Sequence, residues 1–335
     1  YNVSMKYFDT FSGIGGFPLG IQQAYENIQC SERFQQGRVD RNGDLPNTGE
    51  SCLAAQPLCI GYSEIDKYAS SIYQSHFPTH HNYGDITKIK AEDLPEFDLI
   101  VGGFPCQSFS IAGKRGGFAD TRGTLFFDIA RIIKAKQPRL LLLENVKGLL
   151  SHDKGDTFRV IIATLDELGY DLQWQVLNSK NFGVPQNRER VFIIGHLRGT
   201  PRPEVFPFGE GNNEYARGLQ QLNTPKFSSN RIYSKRGISP NIRTMQGGNL
   251  QPKVMENICE NCEGRGDINI GANVCWKCDG TGVKIRRLTP TECERLQGFP
   301  DGWTKGVSDS QRYKTLGNAV TVNVIEAIME KLLRQ

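Results

Sequence analysis

The chain has 335 residues, with 40 Lys and Arg against 36 Asp and Glu. That is long enough for one large or two medium domains, and a net charge of +4 is too small for a histone-like polycation, so a basic contact surface must be local. Apolar residues make up 38% and the longest purely apolar runs, such as Leu140–Leu143, are four residues, which excludes a disordered chain, a collagen-like chain and a helical membrane span.

Short apolar or β-branched runs predict strands at 5–11, 59–65, 97–103, 140–146, 173–178 and 190–197. Between them, 124–136 carries apolar residues at 125, 126, 129, 132 and 133 and ends in lysines, the pattern of an amphipathic helix with basic groups at its C-terminal dipole. This βαβα order predicts an α/β fold, a doubly wound and mostly parallel sheet whose ligand crevice lies at the carboxyl ends of its strands. After Leu197 the periodicity breaks at Pro201, Pro203 and Pro207, and a second, smaller domain is expected over 198–311. The first domain then comprises 1–197 and 312–335, closed by a helix over 319–333. From Lys226 to Met255 there are six Lys or Arg and no Asp or Glu, a candidate nucleic-acid face or else a solvated basic loop.

The strand at 5–11 runs into Ser12-Gly13-Ile14-Gly15-Gly16 and a helical pattern. Missing Cβ atoms there let a ligand approach the backbone, although a tight turn without a ligand has the same look. Glu64 at the end of the next strand and Asp85 in Gly84-Asp85-Ile86 are placed to grip an adenosine-containing cofactor or, equally, to cap turns. The sequence Gly102-Gly103-Phe104-Pro105-Cys106-Gln107-Ser108-Phe109-Ser110 ends a strand in glycines and presents one cysteine where a nucleophile is wanted; a lone cysteine is otherwise a small buried hydrophobe. Glu144-Asn145-Val146 brings an acid out of an apolar strand. Arg188 and Arg190, at i and i+2, point the same way in an extended chain and suit a phosphate or a base carbonyl, or form a surface ion-pair cluster.

Nine cysteines, an odd number, argue for thiols and metal ligands over a disulfide framework. Cys259-x-x-Cys262 and Cys275-x-x-Cys278, twelve residues apart and each followed by x-Gly-x-Gly, form a four-thiolate zinc signature, which predicts a structural Zn²⁺ within about 257–283. The acidic balance of that stretch favours a scaffold over a phosphate contact. The polar insertion around 30–56, with Cys30 and Cys52 inside it and Cys59 just beyond but no ligand-pair spacing, reads as a surface loop.

In order over nearly the whole chain, 9–17 (DTFSGIGGF), the Gly-Phe-Pro-Cys-Gln-Ser-Phe-Ser turn, Glu144-Asn145-Val146, 186–191, 287–300 (RLTPTECERLQGFP) and Gly317-Asn318-Ala319-Val320 resemble the motifs of cytosine-C5 DNA methyltransferases. The resemblance implies S-adenosylmethionine as cofactor, held by Phe11, Gly13, Ile14, Gly15, Gly16, Glu64, Ile65, Asp85, Ile86, Pro105, Leu125, Asn318, Ala319 and Val320. It implies Cys106, Glu144, Arg188 and Arg190 as catalytic residues acting on a cytosine flipped out of the duplex. Double-stranded DNA would meet Gln107, Ser110, Lys114 and Arg115 near the nucleophile, and Arg243, Thr244, Gln246 and Lys253 as candidate base readers in the target-recognition domain. The expected protein is a cytoplasmic, nucleoid-associated monomer of prokaryotic or phage origin, without a leader or membrane contact, with a restriction endonuclease as companion. An RNA cytosine methyltransferase and a catalytically silent, zinc-stabilised DNA binder are the competing readings.

Overall fold

Six segments rich in apolar and β-branched residues pair into one sheet: β1 (Lys6–Thr10), β2 (Leu58–Ser63), β3 (Leu99–Gly103), β4 (Leu140–Val146), β5 (Tyr170–Asn178) and, after the two-residue β6 (Gln186–Asn187), β7 (Glu189–Leu197). The computed structural model describes residues 4–35, 56–105, 125–209, 222, 232–234, 237–242, 251–258 and 283–334. Strand order is β2-β1-β3-β4-β7-β5. β1 runs parallel to β2 and β3, β3 parallel to β4, and β7 antiparallel to β4. This is the mostly parallel α/β sheet expected. All four leucines of Leu140–Leu143 are buried, which requires cover on both faces of the sheet.

The helices are α1 (Gly16–Gln35), α2 (Lys67–His76), α3 (Leu125–Lys136), α4 (Asp156–Glu167), α5 (Pro290–Leu296), α6 (Asp309–Asn318) and α7 (Val322–Leu333). α3 buries Phe126, Ile129, Ala130, Ile132 and Ile133, the stripe read from its period. With α4 it packs on Phe8, Ile100, Leu141, Leu143 and Ile193 of the sheet in one core. α7 packs on α1 but begins at Val322, three residues later than its apolar pattern predicts. Thr321 is its extended N-cap residue, so Ala319 and Val320 belong to the connection after α6.

The chain divides into two compact units, one of Tyr1–Leu177, Glu189–Gly209 and Ala319–Gln335, the other of Asn178–Arg188 and Glu210–Asn318. In the second unit β8 (Ile232–Ser234), β10 (Lys253–Ile258) and β11 (Val283–Arg287) form a small sheet in the order β11-β10-β8, and β6 pairs with β9 (Ser239–Pro240). α5 opens with Pro290 behind a complete capping box between Thr289 and Glu292, a start signal printed in Thr-Pro-Thr-Glu. The fully buried Glu294 is satisfied by the amides of Gly302 and Thr304, the Thr304 hydroxyl and Arg312. No described helix is long and apolar enough to cross a membrane, and no described group of His, Cys, Asp or Glu is arranged to hold a metal.

Candidate active site

The carboxyl ends of four parallel strands lie in register. Thr10 is opposite Ser63 and Gly102, and Gly103 is opposite Glu144, so the segments 11–16, 64–66, 104–105 and 144–146 emerge along one sheet edge. That edge is where α/β sheets place their ligands.

At its first part the chain turns sharply. Phe11 and Gly13 both have left-handed φ values, 52° and 57°, a strained conformation for a bulky aromatic and an easy one for glycine. A Cβ on Gly13 would meet nothing within 4 Å, so that side of the turn is open. The Gly13 N–H donates to Glu64 Oε2 at 2.9 Å, and Asp66 N–H to Glu64 Oε1 at 2.7 Å. Burial raises the Glu64 pKa against these bonds. The next residue, Ile65, is 77% exposed, an apolar side chain beside a pinned carboxylate. Asp85 caps a short turn by accepting from Thr87 N–H and Oγ1, which holds its carboxyl below the ordinary range. Ile86 sits in the core beneath α3 and its carbonyl accepts from Arg131, so its side chain is core packing. Ile14 is likewise fully buried, and Leu125 packs against the core at the start of α3. Of the remaining expected cofactor residues, Gly15 and Gly16 are buried, Pro105 is exposed, Asn318 is exposed at the end of α6, and Ala319 and Val320 are buried.

Sequence reasoning overlooked two further groups here. Asp9 is fully buried in β1 with neither carboxyl oxygen hydrogen-bonded, and burial, with Glu64 second, pushes its pKa well up. Asn82 accepts from the N–H groups of Glu64 and Gly84 and donates to the Glu64 carbonyl, tying the two acidic positions together through one amide. A single asparagine in a loop gives no sequence signal of this kind.

The second part is electrostatic. Glu144 Oε1 accepts from Arg190 Nε at 2.9 Å, with side chains 12% and 13% exposed. Desolvation lowers the Arg190 pKa and its bond to Glu144 opposes that. Gly103 makes room for the carboxyl: a Cβ there would lie 2.9 Å from Glu144 Oε2. The neighbouring Asn145 is 2% exposed and donates to the Phe104 carbonyl at 2.8 Å, fixing the chain two residues before Cys106. Cys106, Gln107, Ser110, Lys114, Arg115, Arg243, Thr244, Gln246 and the four cysteines 259, 262, 275 and 278 lie outside the described residues. Lys253 lies in β10 opposite Arg287.

Arg188 and Arg190 have different partners. Arg188 is 2% exposed, and its Nη1 donates to Asn241 Oδ1 at 2.9 Å and to the carbonyls of Ile242 and Gly317 at 3.3 Å. It falls between β6 and β7, where the regular strand alternation that would align the two arginines is broken.

The sequence model of the C-5 cytosine-specific DNA methylase family matches residues 53–334. The chain belongs to that family. This C-5 cytosine-specific DNA methylase is 37% identical over 335 residues to the Type II methyltransferase M.NlaX of Neisseria lactamica, spanning 98% of this chain and 96% of that one. It is 40% identical over 350 residues to M.SsoII of Shigella sonnei (99% and 81%) and 36% identical over 359 residues to M.HpaII of Haemophilus parainfluenzae (98% and 89%). In fold the methylase is similar to the crystal structure of a DNMT2 mutant from Spodoptera frugiperda, with a TM-score of 0.65 at 19% identity, covering 98% of this chain and 99% of the other.

Proposed function

We propose that the protein transfers a methyl group from S-adenosylmethionine to C5 of a cytosine flipped out of duplex DNA, within a short specific sequence. The buried Glu144–Arg190 pair carries this reading. A carboxyl and a guanidinium 2.9 Å apart match the adjacent N3 and O2 of a cytosine, and they emerge beside the turn that leads to Cys106.

The open turn at Gly13, the Glu64 carboxylate and the exposed face of Ile65 fit an adenosine with its ribose hydroxyls. S-adenosylmethionine, when bound, supplies an electrophilic methyl group. Phe11, Gly15, Gly16, Asp85, Pro105, Leu125 and the 318–320 segment complete the pocket, with Ile14 and Ile86 supporting it from the core.

In the reaction, the Cys106 thiolate adds to C6 of the extruded cytosine while Glu144 donates a hydrogen bond or proton to N3 and Arg190 binds O2. The electron pair made available at C5 would take the methyl of a bound sulfonium cofactor, the methyl–sulfur bond breaking with its electrons left on sulfur as a thioether. Loss of the C5 proton then restores the double bond and expels the Cys106 thiolate. Arg188 orders the chain behind Arg190 through Asn241, Ile242 and Gly317. Gln107, Ser110, Lys114 and Arg115 contact DNA near the flipped base; Arg243, Thr244, Gln246 and Lys253 read bases or hold phosphates.

Zn²⁺ on Cys259, Cys262, Cys275 and Cys278 pins the recognition unit. Ile258 pairs with Val283 at the end of the β10–β11 ladder, so both ends of the segment holding the cysteines are already held together, and four thiolates in two C-x-x-C pairs suit tetrahedral zinc. Stoichiometric zinc in the purified protein, lost in Cys259→Ser with Cys262→Ser, checks this. The catalytic unit is read as 1–197 with 312–335 and the recognition domain as 198–311. The protein works as a monomer, and the Type II designation of its relatives suits the modification half of a restriction pair.

The test is a duplex carrying 5-fluorocytosine at the target position. With fluorine at C5 the final elimination is blocked, so an active enzyme is trapped as a denaturation-resistant complex through Cys106. A protein that binds this DNA in the presence of cofactor and forms no such complex contradicts the proposal.

A further inference from the structure

Gln186 is fully buried in the second unit, yet all its polar atoms are used. Its Nε2 donates to the Leu296 carbonyl at 2.8 Å and to Gln297 Oε1 at 3.1 Å, while its Oε1 accepts the Ile242 N–H at 3.0 Å. One amide therefore joins three chain segments more than fifty residues apart. The contact is braced on each side. β6 pairs with β9, Gln186 lying opposite Ser239, and Ser239 N–H donates to the Pro185 carbonyl at 2.7 Å. Arg188 takes the Ile242 carbonyl at 3.3 Å and Asn241 Oδ1 at 2.9 Å. Both backbone polar groups of Ile242, itself fully buried, are thus held by side chains from 186–188.

Ile242 directly precedes Arg243-Thr244-Met245-Gln246, and the chain passes from Arg188 straight into β7 with Arg190. We propose that Gln186 is a specificity-positioning residue: its amide fixes Ile242, the residue that directly precedes Arg243 in the chain, so discrimination between DNA sequences depends on it and methyl transfer does not. This rests on the reading of 243–246 as base contacts. A buried hydrogen bond to backbone is the device that fixes such a residue, because losing it strands an amide and two carbonyl partners without water.

The experiment is single-turnover methylation of a duplex pool randomised around one central cytosine, with the products mapped by bisulfite sequencing. Gln186→Met keeps the volume and removes all three bonds. The expected result is a rate at the preferred sequence within about threefold of wild type, and preference over the next-best sequence reduced about tenfold, the scale of one or two buried hydrogen bonds. Gln297→Met, which leaves the Gln186–Ile242 bond in place, serves as the packing control and keeps the wild-type preference. Should Gln186→Met fail to melt cooperatively or to bind cofactor, Gln186→Glu retains the acceptor for Ile242 and loses the donors; wild-type preference in it supports the assignment to the Ile242 bond, and lost preference in a folded Gln186→Glu overturns that assignment. Unchanged preference in a folded Gln186→Met, or equal loss in Gln297→Met, overturns it. If Arg243→Ala and Gln246→Ala also leave the preference unmoved, the base-reading assignment fails; if they shift it and Gln186→Met does not, only the positioning role fails.

Discussion

Arg190 Nε lies 2.9 Å from Glu144 Oε1 between two neighbouring strands, and neither side chain is more than 13% exposed. A buried pair of this kind is costly to break from one side, by roughly 3–5 kcal/mol, because the remaining charge stays desolvated. Arg190→Met is therefore expected to lower stability by about 3 kcal/mol and to abolish turnover. Glu144→Gln, which keeps the shape, is expected to fold and to lose a factor of about 10²–10⁴ in single-turnover rate, the usual size of a general-acid contribution. Denaturant melts beside quench-flow rates separate the two effects; a Glu144→Gln enzyme within threefold of wild type removes Glu144 from the chemistry.

In the proposed reaction Asn145 acts on the nucleophile at one remove. Its amide holds the Phe104 carbonyl at 2.8 Å, and Asn145→Asp sets a carboxylate oxygen against that carbonyl. The predicted outcome is a rate about ten- to a hundredfold lower, one to three kcal/mol in barrier, with cofactor affinity unchanged. Loss of cofactor binding in parallel with rate points instead to general disruption of the sheet edge.

A pH prediction comes from Glu292. Hydrogen bonds from Arg286, at 2.8 Å to each carboxyl oxygen, hold its pKa at about 2, below the ordinary 4.5. A pKa lowered by folding adds stability that is present above 4.5 and fades as pH falls toward 2. Glu292→Gln is thus less stable than wild type at pH 7, by about 1 kcal/mol for a partly exposed pair, and the gap narrows through that window. A gap that stays constant from pH 7 to pH 2.5 contradicts the assignment.

The central sheet was readable because each strand is a short apolar run bounded by polar turns, and five of the six start within two residues of the expected position; β5 begins at Tyr170 against an expected 173. α7 misled because Ala319 and Val320 continue an apolar pattern, while Asn318 ends α6 and Thr321 caps the next helix. α6, with little apolar periodicity in DSQRYKTLGN, gave no signal. In the candidate site, motif order pointed to Glu144 and Arg190, which the structure brings together, but single amides such as Asn82, Asn145 and Gln186 work through long-range backbone contacts that no local pattern encodes. The partners of Arg188 were not readable for a similar reason: Asn241, Ile242 and Gly317 lie fifty and more residues away.

The central claim, Cys106-dependent methylation of cytosine in DNA, is tested most directly by transfer of labelled methyl from S-adenosylmethionine to unmethylated duplex DNA, with wild type and Cys106→Ser side by side and the product mapped by bisulfite sequencing. Wild type is expected to place label at C5 of cytosine in one short sequence, and Cys106→Ser to place none. Label incorporated by Cys106→Ser at the wild-type rate, or a cofactor-loaded wild type that leaves duplex DNA unlabelled, contradicts that claim.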